Sequence, residues 1–122
     1  MKQVLFVGLG GAAGSILRYL TNGVTLKYYS ASFPLATLIV NVAGCFLAGL
    51  LFGLITQQTS EAQNLKFLLI TGFCGGFTTF SAFALENVRL MNSGNASIAI
   101  LYTIASIAAG LLAVWIGLII TR

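Results

Sequence analysis

Four apolar runs fill most of the chain: about Val4 to Leu20, Phe33 to Thr56, Leu65 to Leu90 and Ser97 to Thr121. A bilayer hydrocarbon core of ~30 Å takes roughly 20 helical residues to cross, so each run meets or approaches the length of one span. Backbone groups left unpaired in lipid cost several kcal/mol each, and none of the runs alternates apolar with polar as a barrel strand does. The spans are therefore expected to be helices. Charge agrees: among 122 residues there are 6 Lys and Arg and 2 Asp and Glu, and the mean hydropathy is +1.00. A soluble domain carries about a quarter charged residues to coat its surface. The expected fold is an all-α membrane protein with four transmembrane helices in a single domain over residues 1–122.

The same composition excludes an ordinary soluble enzyme. Six cations scattered singly make no nucleic-acid footprint, although the net charge is +4. Cys45 and Cys74 both fall inside apolar runs, where cysteine behaves as a small hydrophobe. The start, Met1-Lys2 before an apolar run with small residues near Gly11 to Ser15, imitates a signal peptide, but three further runs favour an uncleaved first span. The connections read as loops: Thr21 to Ser32 contains Asn22-Gly23, Gln57 to Asn64 is polar throughout, and Asn92-Ser93-Gly94-Asn95 is a turn signal. Pro34 opens the second span, where its missing N–H is no loss.

An even number of spans puts both termini and the second connection on one side of the membrane. That side holds Lys2, Lys66 and Arg122, and the other holds Arg18, Lys27 and Arg89, three against three. Orientation follows the Lys/Arg excess in short loops, so a balanced chain is expected to insert both ways round. Dual topology in turn favours an antiparallel homodimer with its two-fold axis in the membrane plane.

Several residues stand out against the lipid background. The pairs Gly10 and Gly14, Gly49 and Gly53, and Ser106 and Gly110 have the spacing that lets helix backbones approach closely. Asn41 sits inside the second span among apolar neighbours and needs a partner, either as interhelical glue or as the lining of a polar pathway. Arg18, near the end of the first span, either snorkels to the interface or faces water. The third span carries the most information, in Thr71-Gly72-Phe73-Cys74-Gly75-Gly76-Phe77-Thr78-Thr79-Phe80-Ser81. Adjacent glycines and a Thr pair near its midpoint predict a break at mid-membrane. Such a break either heals against neighbouring helices or releases carbonyls, at Gly75 and Thr78, that suit a small hard cation.

Phe73, Phe77, Phe80 and Phe83 recur at helical spacing, which usually means packing. Ring edges are the positive part of the aromatic quadrupole, so rings presented edge-on can also meet an anion without a full counter-charge. Thr79 and Ser81 would add hydroxyl donors beside them. Glu86 and Arg89 lie three residues apart and are expected to pair at the interface. Tyr102 and Ser106 offer hydroxyls from one side of the fourth span, to a polar track or to a neighbouring helix. Asn95-Ala96-Ser97 matches a glycosylation triplet but abuts a span, and is read as chance.

Taken together, Gly10-Gly11-Ala12-Ala13-Gly14 running to Arg18-Tyr19, Thr37-Leu38-Ile39-Val40-Asn41 with Gly44, and Gly72 to Ser81 resemble the small bacterial fluoride channels of the Fluc, or CrcB-type, family. The resemblance covers essentially the whole chain. It implies a fluoride-selective passive anion channel of the bacterial cytoplasmic (inner) membrane, built as an antiparallel, dual-topology homodimer with two fluoride pathways. It implies that ring edges of Phe80 and Phe83 meet fluoride, that Asn41 contacts the ion nearer a vestibule, and that Arg18 lies in that vestibule. Ser81 and Thr79 would line the pathway, with Tyr102 and Ser106 beside them. Carbonyls of Gly75 and Thr78 from both subunits would hold a central structural Na+. The partners implied are fluoride, a second copy and the bilayer. Ala82 departs from the family, whose members often carry a hydroxyl residue there.

Other classes fit less well. A small dual-topology multidrug antiporter needs a membrane-embedded carboxylate, and the first span has none. A non-transporting structural or assembly subunit would tolerate apolar exchange at Asn41, Phe80 and Phe83. An enzyme is least supported, with no His, no cluster of metal ligands, and carboxylates only near span ends.

Overall fold

The computed structural model describes all 122 residues, and it is helical almost throughout. The elements are α1 (Lys2–Tyr28), α2 (Leu35–Leu54), α3 (Ser60–Leu65), a π-helical segment (Lys66–Cys74), α4 (Gly75–Phe77), α5 (Phe80–Asn92) and α6 (Ala96–Ile120). Four stretches are long and apolar enough to cross a membrane: Lys2–Tyr28, Leu35–Leu54, Ser60–Asn92 and Ala96–Ile120. The four expected spans are thus present, by length and composition.

Two boundaries differ from expectation. The first helix does not stop at Leu20 but continues to Tyr28, straight through Asn22-Gly23. A mid-helix glycine costs only about 1 kcal/mol relative to Ala, too little to end a well-started helix. The Thr21 and Thr25 hydroxyls donate back to the Leu17 and Thr21 carbonyls, each at 2.8 Å, inside the continuing turns. A helix of 27 residues runs about 40 Å, longer than the hydrocarbon core. Its last turn carries Lys27 and Tyr28, side chains of the kind that anchor in a headgroup region.

The second difference lies in the polar stretch read as a loop from Gln57 to Asn64, where α3 already begins at Ser60. Thr59 caps it, its hydroxyl accepting the Ala62 N–H at 3.2 Å, and Glu61 in the first turn complements the helix dipole. The third connection is a turn as expected. Asn95 N–H returns to the Leu90 carbonyl and Gly94 N–H to that of Met91, a Schellman close that requires Gly94 at φ 81°.

Glycine decides how the spans pack. A β-carbon at Gly10 would collide with the Leu68 carbonyl and one at Gly14 with that of Phe73, while Gly72 and Gly76 face the Val7 and Gly11 backbone in return. Helix α1 thereby lies directly on the first half of the third span. Gly49 meets the Val114 carbonyl, Gly117 meets that of Phe46, and Gly53 meets Thr121, which seats α2 on α6 in the same way. The Ser106 and Gly110 pair behaves differently, because a β-carbon at Gly110 would reach only Cys45 Sγ, at an ordinary 3.6 Å. That pair marks no close helix approach.

Only 17 residues are buried within the chain, and large apolar side chains such as Leu9, Ile16, Leu111 and Trp115 are exposed on its outside. Helices apolar outward as well as inward are those of a membrane protein.

Candidate functional site

The site grows from two residues. Thr78 (φ −80°, ψ 158°) and Thr79 (φ −151°, ψ 117°) are extended, with helical geometry ending at Phe77 and resuming at Phe80. Gly75 and Gly76, expected to weaken the helix, remain helical, and Gly76 instead gives α1 room at Gly11. Thr78 folds back on the helix it ends, its N–H and its hydroxyl both donating to the Cys74 carbonyl, at 3.0 and 2.8 Å. Thr79 starts the next helix, its hydroxyl accepting the Ala82 N–H at 3.2 Å.

Thr79 is the residue that needs outside help. An unbroken helix would send its N–H to the Gly75 carbonyl. Here the N–H donates to Asn41 Oδ1 at 2.7 Å, and Asn41 Nδ2 donates to the Thr79 carbonyl at 3.1 Å. One carboxamide thus satisfies both backbone groups of an extended residue, as a neighbouring strand would. The partner that Asn41 required is this backbone, 38 positions along the chain. Gly44, one turn further along α2, leaves space for the Thr78 methyl group, which a β-carbon there would strike.

The interruption also splits the aromatic stripe into two pairs. Phe73 and Phe77 stack at 5.9 Å and 10°, with Phe77 buried. Phe80 and Phe83 sit 5.6 Å apart at 43°, and Phe80 is 78% exposed. The Phe83 ring continues edge-to-face onto Tyr102 (5.1 Å, 60°), which packs in turn on Phe33 (5.5 Å, 73°).

A cavity of about 280 Å³ brings together Asn41, Thr79, Phe80, Phe83 and Ser106, with Thr78 and Cys45 completing its polar and polarisable wall. Ser106 Oγ is buried and has no hydrogen-bond partner. The remaining expected residues stand at other distances from it. Ser81 is exposed and joins through its hydroxyl, 3.3 Å from that of Thr79. Tyr102 is fully buried and meets the cavity only through the Phe83 ring. Arg18, on α1, is half-buried and lies outside the cavity. Gly75 is exposed, with open space where its β-carbon would be.

Glu86 does not fulfil the expected pairing with Arg89. Its Oε1 accepts from the Thr37 hydroxyl at 2.6 Å and its Oε2 from the Tyr102 hydroxyl at 2.8 Å, so both carboxylate oxygens are engaged by other spans. Hydroxyl donors satisfy a carboxylate without the guanidinium, which stays on the exposed side of α5. Thr37 and Cys45 were not singled out from sequence as site residues, although their spacing held a signal. Thr37, Asn41 and Cys45 fall at i, i+4 and i+8 on α2, opposite Tyr102, Ser106 and Gly110 at the same spacing on α6.

The comparisons with known proteins agree with the motifs. The family model described as CrcB-like protein, Camphor Resistance (CrcB), matches residues 5–118. A protein of Flavobacterium psychrophilum named fluoride-specific ion channel FluC is 51% identical over all of this chain and 98% of its own length. Proteins of the same name from Azobacteroides pseudotrichonymphae and Rhizobium leguminosarum are 44% and 46% identical, again over all of this chain and 98% of theirs. With the family's pattern running from the first span to the last, the chain belongs to the CrcB-like family, a family of ion channels and not of enzymes.

Proposed function

We propose that two antiparallel copies of this chain form a passive, fluoride-selective anion channel in the bacterial cytoplasmic membrane. The observation that carries the reading is the cavity lined by Phe80, Phe83, Asn41 and Ser106, the last with a buried hydroxyl that has no partner. The names of the full-length relatives support it. Hydrogen fluoride enters a cell uncharged and dissociates inside, so a cell in acid surroundings traps fluoride. A negative interior then drives the anion out through any selective pore, and no pump is required.

The lining offers donors without a full positive charge. Ring edges of Phe80 and Phe83 are weakly positive, and the Ser106 proton is free. Asn41 uses one amide hydrogen on the Thr79 carbonyl and keeps a second, so it serves both as wall and as ion contact. Thr79 and Ser81 extend the hydroxyl lining, and Tyr102 buttresses Phe83. Arg18 would raise the local anion concentration in an aqueous vestibule. Selectivity over chloride follows from a narrow wall of fixed donors sized for the smaller ion.

The dimer reading rests on the balanced cations and on Phe80, 78% exposed until a second copy covers it. A structural Na+ fits the donors available. The Gly75 carbonyl loses its helical partner when Thr79 N–H turns to Asn41, and Gly75 is exposed. With the carbonyl of extended Thr78 it supplies hard oxygen ligands, which a second copy would double. Bound there, the ion would neutralise facing carbonyls at the break in the third span.

Fluoride efflux from liposomes holding the purified protein with Na+ present, beside a parallel chloride assay, tests the proposal. Fast fluoride release with negligible chloride release is expected. Release of neither ion from folded dimers would leave the structural subunit as the reading.

A further inference from the structure

Two hydrogen-bonded rungs tie α5 to α6 at consecutive positions of both helices. The first is Tyr102 to Glu86, at 2.8 Å. In the second, Thr103 Oγ1 donates to Asn87 Oδ1 at 3.0 Å, and Asn87 Nδ2 donates onward to the Phe83 carbonyl, also at 3.0 Å. The Thr103 hydroxyl lies 2.9 Å from the Ala99 carbonyl as well, so its one proton is shared. Consecutive residues point about 100° apart around a helix. Two rungs so offset constrain the rotation of α5 against α6 more than either does alone.

What that rotation places is Phe83. Its carbonyl receives the Asn87 amide, and its ring is part of the wall of the 280 Å³ cavity already described. The same ring also borders a second cavity, of about 290 Å³, between Asn87, Met91, Ala99 and Thr103. Phe83 is therefore a partition between two spaces of nearly equal size, packed edge-to-face on Tyr102 and anchored through its backbone carbonyl by the polar rung. Asn87 is buried, and a polar side chain in that position is held only by bonds of this kind.

We infer that Asn87 and Thr103 are positioning residues that hold Phe83 against the ion cavity and out of the second one, and so help to set anion selectivity. The inference rests on the channel reading above. Thr103→Val is nearly isosteric and removes only the hydroxyl, Thr103→Ser keeps it, and Asn87→Asp keeps the acceptor for Thr103 but loses the donor to Phe83. Each variant is reconstituted for fluoride and chloride efflux, and each is also made with fluorophenylalanine at position 83 for 19F NMR. Thr103→Val and Asn87→Asp are expected to lower the fluoride-to-chloride ratio about five-fold, the size of one lost hydrogen bond, and to split or broaden the 19F line. Thr103→Ser restores both readouts. A single unshifted line in the valine variant, or an unchanged ratio, overturns the inference. If one variant fails to fold, the other carries the test. Should the unsubstituted protein release no fluoride, the channel reading fails, and the 19F line still decides whether the rung positions the ring.

Discussion

Replacing Asn41 by Leu tests whether the third span depends on one carboxamide. The substitution keeps the approximate volume and suits lipid, so hydropathy alone predicts a neutral or stabilising change. The hydrogen bonds predict the reverse. Thr79 N–H (2.7 Å) and its carbonyl (3.1 Å) both lose their partner, and α2 offers no other donor or acceptor nearer than Thr37 and Cys45. Two bonds at the membrane average of ~0.6 kcal/mol give a floor of about 1.2 kcal/mol. That average is small because side chains find substitutes, which a backbone pair fixed between two helices does not. Leaving each group unsatisfied at about 1 to 3 kcal/mol puts the loss near 3 kcal/mol. Reversible unfolding in detergent micelles reads the stability, and hydrogen exchange reads the Thr79 amide, expected to be protected in the parent and to exchange quickly in the variant. A stability change below about 0.5 kcal/mol, the range of an inert surface substitution, would refute the argument.

Other substitutions separate structure from conduction. Ser106→Ala removes a hydroxyl with no protein partner, so stability should stay within about 0.5 kcal/mol while fluoride efflux falls; unchanged efflux would remove Ser106 from the pathway. Phe80→Ile should lower fluoride flux with the melting temperature of the protein little changed, since it deletes an exposed ring edge and little packing within the chain. Gly14→Val should do the opposite, destabilising the fold by about 1 to 3 kcal/mol or more because its side chain must displace the Phe73 carbonyl, and normal expression and melting would contradict the packing described.

Lipid makes some features easy to read from sequence and hides others. The four spans were legible because nearly every residue in them is apolar, a constraint local to each run. The first helix reads too short in the sequence because Asn22-Gly23 is a turn signal only where neighbours let it act, and the back-bonded Thr21 and Thr25 keep the helix going. Ser60 to Asn64 reads as loop because it is polar, although Thr59 before Glu61 carries a capping signal. Of the residues lining the cavity, Asn41, Thr79, Phe80, Phe83 and Ser106 stand out in the sequence and Cys45 does not, and the hydrogen-bond partners are hidden. Asn41 reaches Thr79 and Thr37 reaches Glu86 across 38 and 49 positions, separations at which no periodicity acts. For Glu86 the near neighbour Arg89 was the natural guess, and tertiary packing supplied two hydroxyls instead.

The distribution of satisfied and free donors bears on how such a pore could release its ion. Along the facing stripes of α2 and α6, Thr37 and Tyr102 give their protons to Glu86, and Asn41 gives one amide hydrogen to Thr79. The Asn41 bond fixes the wall, and the two bonds to Glu86 hold hydroxyls that lie behind it and engage them there. Left over are the Ser106 proton, one hydroxyl proton of the Thr79 and Ser81 pair, the second amide hydrogen of Asn41 and the edges of two phenyl rings. None of these bears a full charge, and Arg89, the cation nearest the rings along their span, is exposed and outside the cavity lining. Conduction demands sites that replace hydration yet hold the ion weakly enough to let it go. In the proposed channel, the Asn41 bond that stabilises the fold is therefore also what keeps the residual donors few and weak, and a variant that freed the Asn41 amide from the Thr79 carbonyl would be expected to bind fluoride more tightly and pass it more slowly.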